Sequence, residues 1–190
     1  MTRRLRSDRC ADCGLPPALC LCAALHPVVL PFGIVIVQHA KEAPRPSNSA
    51  GLLRRLVPET RFVRHGAVDG PETAPDFAAP GLVLFPDDEA PVLSPRDRPA
   101  TLVVPDGNWR QCRRMVRRVP WVADLPRRRL PPGPPPLARL RGHPEADHLA
   151  TLEAVARAVG LLAGPGPEAT LATAWVAFAA QVERWRVGGV

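Results

Sequence analysis

Short continuous apolar runs, each closed by proline or by polar residues, recur through the first half of the chain, and stripes at helical spacing dominate the second half. Residues 28–38, VVLPFGIVIVQ, carry an IVIV core that is apolar on both faces. Such a run predicts a buried central strand. Residues 61–65 predict a second strand, 81–85 (GLVLF) a third and 101–104 (TLVV) a fourth; the last two stop at Pro86 and Pro105. Between the first two, Ser47 or Asn48 can cap a short helix bearing Leu52, Leu53 and Leu56. Residues 71–80 read as loop.

The later pattern changes period. In 108–119, NWRQCRRMVRRV, the residues Trp109, Cys112, Val116 and Val119 form one apolar stripe and arginines fill the rest. Asn108 is a good N-cap, and Gln111 three residues on gives a capping-box start. Two further helices are predicted over 149–162 and 168–186, the second carrying Trp175, Phe178, Val182 and Trp185. Apolar strands interleaved with helices predict an α/β fold with a mostly parallel sheet and flanking helices. Ligands of such sheets bind beyond the strand C-termini. The segments starting at Gln38, Pro86 and Pro105 are therefore the first places to look.

A length of 190 residues suits one domain with a small appendage. We divide it into a cysteine-rich module, 1–26, and a main domain, 27–190. The 25 prolines, many of them between Leu125 and Pro144, exclude a long helix there. Near the start no apolar run approaches the ~20 residues a bilayer requires, and the opening residues lack the apolar core of a signal peptide. A cytoplasmic protein with no membrane partner is expected. A formal net charge of +7 points to a polyanionic partner, nucleic acid first.

Cys10, Cys13, Cys20 and Cys22 follow the pattern C-x2-C-x6-C-x-C. Two short cysteine pairs supply the four tetrahedral thiolates that structural zinc prefers, and Gly14 suits the knuckle turn. The other readings are disulfides, which the missing secretion signal disfavours, or free thiols. Cys112, alone on the arginine-rich helix, reads as a buried core thiol rather than a nucleophile.

Four constellations could carry chemistry. In PDGNWRQ, 105–111, a strand delivers Asp106 to a glycine turn and a helix start, where free N–H groups attract anions; an ordinary turn is the plainer alternative. His39, Glu42 and Arg45 follow the most buried strand and form either a site or a solvated loop. Arg139, Arg141, His143, His148, Thr151 and Glu153 make a third group, in which Glu153 near the apolar edge of its helix demands a partner, in either a structural salt bridge with an arginine or a functional contact. Finally, residues 110–129 hold eight arginines against one acid, Asp124, an imbalance that favours phosphate contact over the alternative of a solvated helix face.

In this order the elements resemble the DTW-domain family of tRNA-uridine aminocarboxypropyltransferases. The resemblance rests on the four-cysteine start, on His39, Glu42, Arg45, Ser49 and Ala50 after a strand, on Leu84–Phe85–Pro86, and on DGNW. The late group Arg139, Arg141, Thr151, Glu153 and Ala154 completes it. The family motif reads D-x-T-W, so Asn108 replaces a threonine; Ala150 and Leu137 are further departures. The resemblance implies a knotted, SPOUT-like fold that binds S-adenosylmethionine. The implied reaction moves its 3-amino-3-carboxypropyl group to N3 of a tRNA uridine and releases methylthioadenosine.

Carried onto this chain, the resemblance makes Asp106 a base or an orienting group, Asn108 a holder of the cofactor carboxylate and Trp109 a lining or packing residue. Leu84, Phe85, Pro86, Val104, Pro105, Gly107, Thr151 and Glu153 would hold the cofactor. His39, Glu42, Arg45, Arg113, Arg114, Arg117, Arg139 and Arg141 would face RNA, and the four cysteines zinc. The alternatives are a SPOUT-like RNA methyltransferase, or a catalytically inactive zinc-containing RNA-binding module.

Overall fold

A computed structural model describes residues 9–66, 75–140 and 148–188. Five parallel strands form one sheet in the order β2-β1-β4-β3-β5: β1 (Gly33–His39), β2 (Arg61–His65), β3 (Gly81–Leu84), β4 (Thr101–Asp106) and β5 (Arg127–Arg128). Helices are α1 (Leu53–Leu56), α2 (Trp109–Arg118), α3 (Pro120–Ala123), α4 (Thr151–Ala163) and α5 (Pro165–Gly188). The α/β architecture expected from the sequence is the one observed. Residues 141–147, on which the implied knot bears, lie outside the described residues, as do 1–8, 67–74 and 189–190.

Strand alternation sorts the core into two layers. Ile34, Ile36, Leu82, Leu84, Leu102 and Val104 pack on one face with Leu52, Leu53 and Leu56 and with α4 and α5. Val35, Val37, Val83, Phe85 and Val103 pack on the other face with Cys112, Met115, Val116 and Val119 of α2. The chain therefore leaves β1 toward one face and leaves the neighbouring strand β4 toward the other. That divergence makes a crevice at the C-terminal ends of β1 and β4, the topological switch point of the sheet.

Three expectations are corrected. The first strand begins at Gly33 rather than at residue 28, because Pro27 and Pro31 keep the entry irregular. The fourth strand runs through Pro105 to Asp106. The N–H of Thr101 points toward β3, bonding Pro80 O at 3.3 Å, so Pro105, four residues on, turns its missing donor to the same side. The β3–β4 ladder ends at Val83↔Val103, and no bond is lost there. Strand β5 was not expected: it is two arginines long and attaches through Val83 N→Pro126 O and Phe85 N→Arg128 O, both 2.9 Å.

The cysteine segment does not stand apart. Cys13, Leu15, Leu19, Leu21 and Cys22 belong to the same buried cluster as β1 and α5.

Candidate active site

A cavity of about 420 Å³ opens at the switch point. It is walled by the β1 exit (Glu42, Arg45, Ser47–Ser49), the β4 exit (Asp106–Arg110), a loop (Ala138–Leu140), the entry to α4 (His148–Thr151) and Trp175. Its volume falls in the range of small-molecule sites, ~300–1,000 Å³.

Asp106 lies at its base, 6% exposed. Its Oδ2 accepts from Gln38 Nε2 at 2.9 Å and Asn48 Nδ2 at 3.3 Å; Oδ1 accepts from Thr151 Oγ1 at 2.7 Å. Three uncharged donors from three elements thus fix the carboxylate. A second acid, Glu42, is 2% exposed and pairs with Arg45 Nε at 3.2 Å. Both acids act on Cys112: burial first, then Asp106 and Glu42, push its thiol far up. Its Sγ lies 3.3 Å from Gly107 O, so Cys112 is the expected core thiol.

Asn108 lines the cavity and caps α2. Its Oδ1 accepts from Gln111 N at 2.9 Å, while Gln111 Oε1 accepts from Asn108 N at 2.7 Å. The capping box is complete, so Asn108 closes the turn into α2. Trp109 is half-buried in a stack, 5.1 Å from Phe85 and 4.4 Å from His148 between centroids, with Arg113 5.5 Å from its ring.

The structure brings Asp106, Gly107, Asn108, Trp109, Thr151, Glu42, Arg45 and Arg139 to the cavity. It does not bring Leu84, Phe85, Pro86, Val104 or Pro105 there; Phe85 reaches it only through Trp109. His39 turns toward β2, edge-on to His65 at 5.9 Å, and its Nδ1 accepts from Lys41 N. Glu153 is fully buried away from the cavity. It accepts from Leu137 N (2.9 Å), Arg157 Nη2 (2.8 Å) and Trp175 Nε1 (2.9 Å), tying the 138–140 wall to α4 and α5. Arg113, Arg114, Arg117 and Arg118 are exposed along α2. Arg141 and His143 lie outside the described residues. The basic run is smaller than it reads, since Arg127 pairs with Asp87 at 3.2 Å, Arg128 with Asp97 at 2.8 Å, and Arg129 Nε bonds Ala90 O.

Sequence reasoning missed Gln38 as an Asp106 partner, although a polar residue closing an apolar strand at its C-terminal end was a usable signal. Nothing local flagged Ala138, Leu140, Leu149 or Trp175 as walls.

The four cysteine sulfurs all lie within 4.8 Å of one another, with Cys10–Cys22 at 3.6 Å and Cys13–Cys20 at 3.8 Å. A tetrahedron with ~2.3 Å zinc–sulfur bonds has edges of about 3.8 Å. All four are free thiols, and the cluster could hold a metal ion. Gly14, at φ +71°, turns the knuckle and donates its N–H to Cys10 O at 2.9 Å. Burial works against ionisation of Cys10, but the Cys13 and Asp12 backbone N–H groups and the Cys22 thiol bring it down to about 7. Burial pushes Cys13 up to about 11.

An all-parallel sheet covered by helices on both faces, with a cavity at its switch point, defines an α/β protein of doubly covered type. The chain belongs to the DTW domain family, whose model matches residues 7–183. It is similar in fold to a solved structure, the SAM-dependent rRNA:acp-transferase Tsr3 from Vulcanisaeta distributa, at 20% identity and a TM-score of 0.55, over 84% of this chain and 85% of that one. No helix among the described residues is long and apolar enough to cross a membrane.

Proposed function

We propose that the chain moves the 3-amino-3-carboxypropyl group of S-adenosylmethionine to N3 of a uridine in tRNA. The observation that carries this reading is the charge layout of the cavity. Asp106 and Glu42 are buried at its base, and the more exposed Arg45, Arg110 and Arg139 stand around them. An amino-acid zwitterion matches that layout, its ammonium toward the acids and its carboxylate toward the arginines. The fold neighbour, an acp-transferase acting on rRNA, supports the same reaction class.

S-adenosylmethionine supplies a sulfonium-activated carbon, and displacement there breaks the carbon–sulfur bond and releases methylthioadenosine. This chain's residues do the placing. Asp106, clamped by Gln38, Asn48 and Thr151, cannot follow a departing proton and suits a fixed ammonium group. Holding the amino-acid end selects which of three activated carbons meets the nucleophile, an orientation effect. The N3 proton passes to water at the cavity mouth. Trp109 presents a ring beside the cavity, and the exposed arginines of α2 meet RNA phosphates. Zinc is the metal that four thiolates at this spacing favour, in a structural role.

Incubation with labelled cofactor and unmodified bulk tRNA, followed by nucleoside mass spectrometry, tests the reading. Aminocarboxypropyluridine with methylthioadenosine supports it. S-adenosylhomocysteine would mark a methyltransferase, product on rRNA alone would move the substrate, and tRNA binding without cofactor binding would mark an inactive module.

A further inference from the structure

The cysteine knuckle and the reaction centre share a wall. Gly51, in the short helical turn Ser49–Leu52, lies so close to the knuckle that a Cβ on it would stand 2.7 Å from Asp12 O. Asp12 sits between the ligand-spaced Cys10 and Cys13. Its carboxylate also pairs with Arg55 of α1 at 2.7 Å, so the two elements touch at two points. On its other side Gly51 donates its N–H to Asn48 Oδ1 at 3.2 Å. The same Asn48 amide donates through Nδ2 to Glu42 O at 3.0 Å and to Asp106 Oδ2 at 3.3 Å. The next residue, Ser49, accepts from Leu152 N at 3.2 Å, beside the Thr151 that holds the second Asp106 oxygen.

We infer that the four-cysteine site positions the reaction centre, with Gly51 and Asn48 as the positioning residues. A knuckle closed on its metal holds the Asp12 carbonyl still. That carbonyl sets the height of the Ser49–Leu52 turn, and the turn sets where Asn48 presents its amide to Asp106. Gly51 faces the Asp12 carbonyl where no Cβ would fit, so backbone lies against backbone with no soft side chain between them to absorb displacement, and movement of one element is passed to the other. The structural metal thereby acts on the aim of a carboxylate that it does not touch. The consequence for turnover rests on the transferase reading; the mechanical coupling does not.

Hydrogen–deuterium exchange on the full-length, zinc-loaded chain reads the coupling without any ligand. At saturating zinc, Gly51→Ala should keep one zinc per chain and a wild-type circular dichroism spectrum. Exchange in residues 47–56 should rise about tenfold, and affinity for S-adenosylmethionine should fall by a similar factor. Chelating zinc from the wild type should raise exchange in 47–56 as well as in 9–26, which keeps the test intact if the variant does not fold. An exchange increase confined to 9–26 after chelation overturns the proposal. So does a folded Gly51→Ala variant with wild-type exchange, or a purified chain that takes up no zinc. Failure of the wild type to bind S-adenosylmethionine would remove the transferase reading and leave the exchange result to decide the coupling alone.

Discussion

Gln38 and Asp106 are register partners across the central strands β1 and β4, and their side chains close a 2.9 Å hydrogen bond at the strand tips. The pairing explains why the two exits that wall the cavity begin level with one another. It also makes the carboxylate part of the sheet: Asp106 can no more tilt than β4 can slide along β1.

Asp106→Asn is the sharpest substitution. It keeps shape but turns an amide N–H toward donors from Gln38, Asn48 or Thr151. Affinity for S-adenosylmethionine should fall at least tenfold, about 1.4 kcal/mol, and turnover should disappear. Denaturant stability should drop by about 1–3 kcal/mol. Calorimetry and a urea titration separate the two effects; unchanged cofactor affinity would return Asp106 to the role of a base.

Glu153→Ala should act on stability first. It leaves the Leu137 and Trp175 N–H groups and the Arg157 guanidinium without their common acceptor. A loss of about 3–5 kcal/mol is expected for a buried ion pair broken on one side. Guanidinium unfolding measures it, and a loss under about 1 kcal/mol would show that the hub is dispensable.

Charge reversal of Arg113 and Arg117 together should weaken tRNA binding and leave cofactor binding alone. The slope of log K against log salt should flatten by about one to two. An unchanged slope would move the RNA footprint off α2.

Cys112 supplies a pH prediction. Burial, with Asp106 and Glu42 nearby, raises its folded-state value above the ordinary 9.0. Below that the thiol is neutral in both states and its contribution is fully present. As pH rises past 9.0 only the unfolded chain ionises, so stability falls. Cys112→Ala should flatten the decline in urea midpoints between about pH 8 and about pH 10, which brackets the ordinary thiol value of 9.0. Iodoacetamide should also spare Cys112 in the native protein, since the neutral buried thiol is a poor nucleophile.

Legibility followed locality. The capping box at Asn108 and Gln111 and the stripe of α2 were readable because every partner lies within one or two helical turns. The four thiols were readable because their spacing is itself the signal. The helical angle of Glu153 announced a buried acid in need of an arginine, which Arg157 one turn on supplies, but its further partners Leu137 and Trp175 come from other segments and left no local signal. Strand β5 carried no apolar pattern, since two arginines at a sheet edge pair outward with Asp87 and Asp97. Phe85 and Pro86 were drawn into the site by the strand-end rule, yet β3 lies one strand away from the divergence.

The three donors on Asp106 come from residues 68, 58 and 45 positions away along the chain, two upstream and one downstream. No contiguous stretch of polypeptide can build that grip. A chain still emerging from its ribosome would have its knuckle and all five strands available before Thr151 arrives. Competence to hold a ligand should thus be acquired late and all at once, with the docking of α4, rather than grow with chain length.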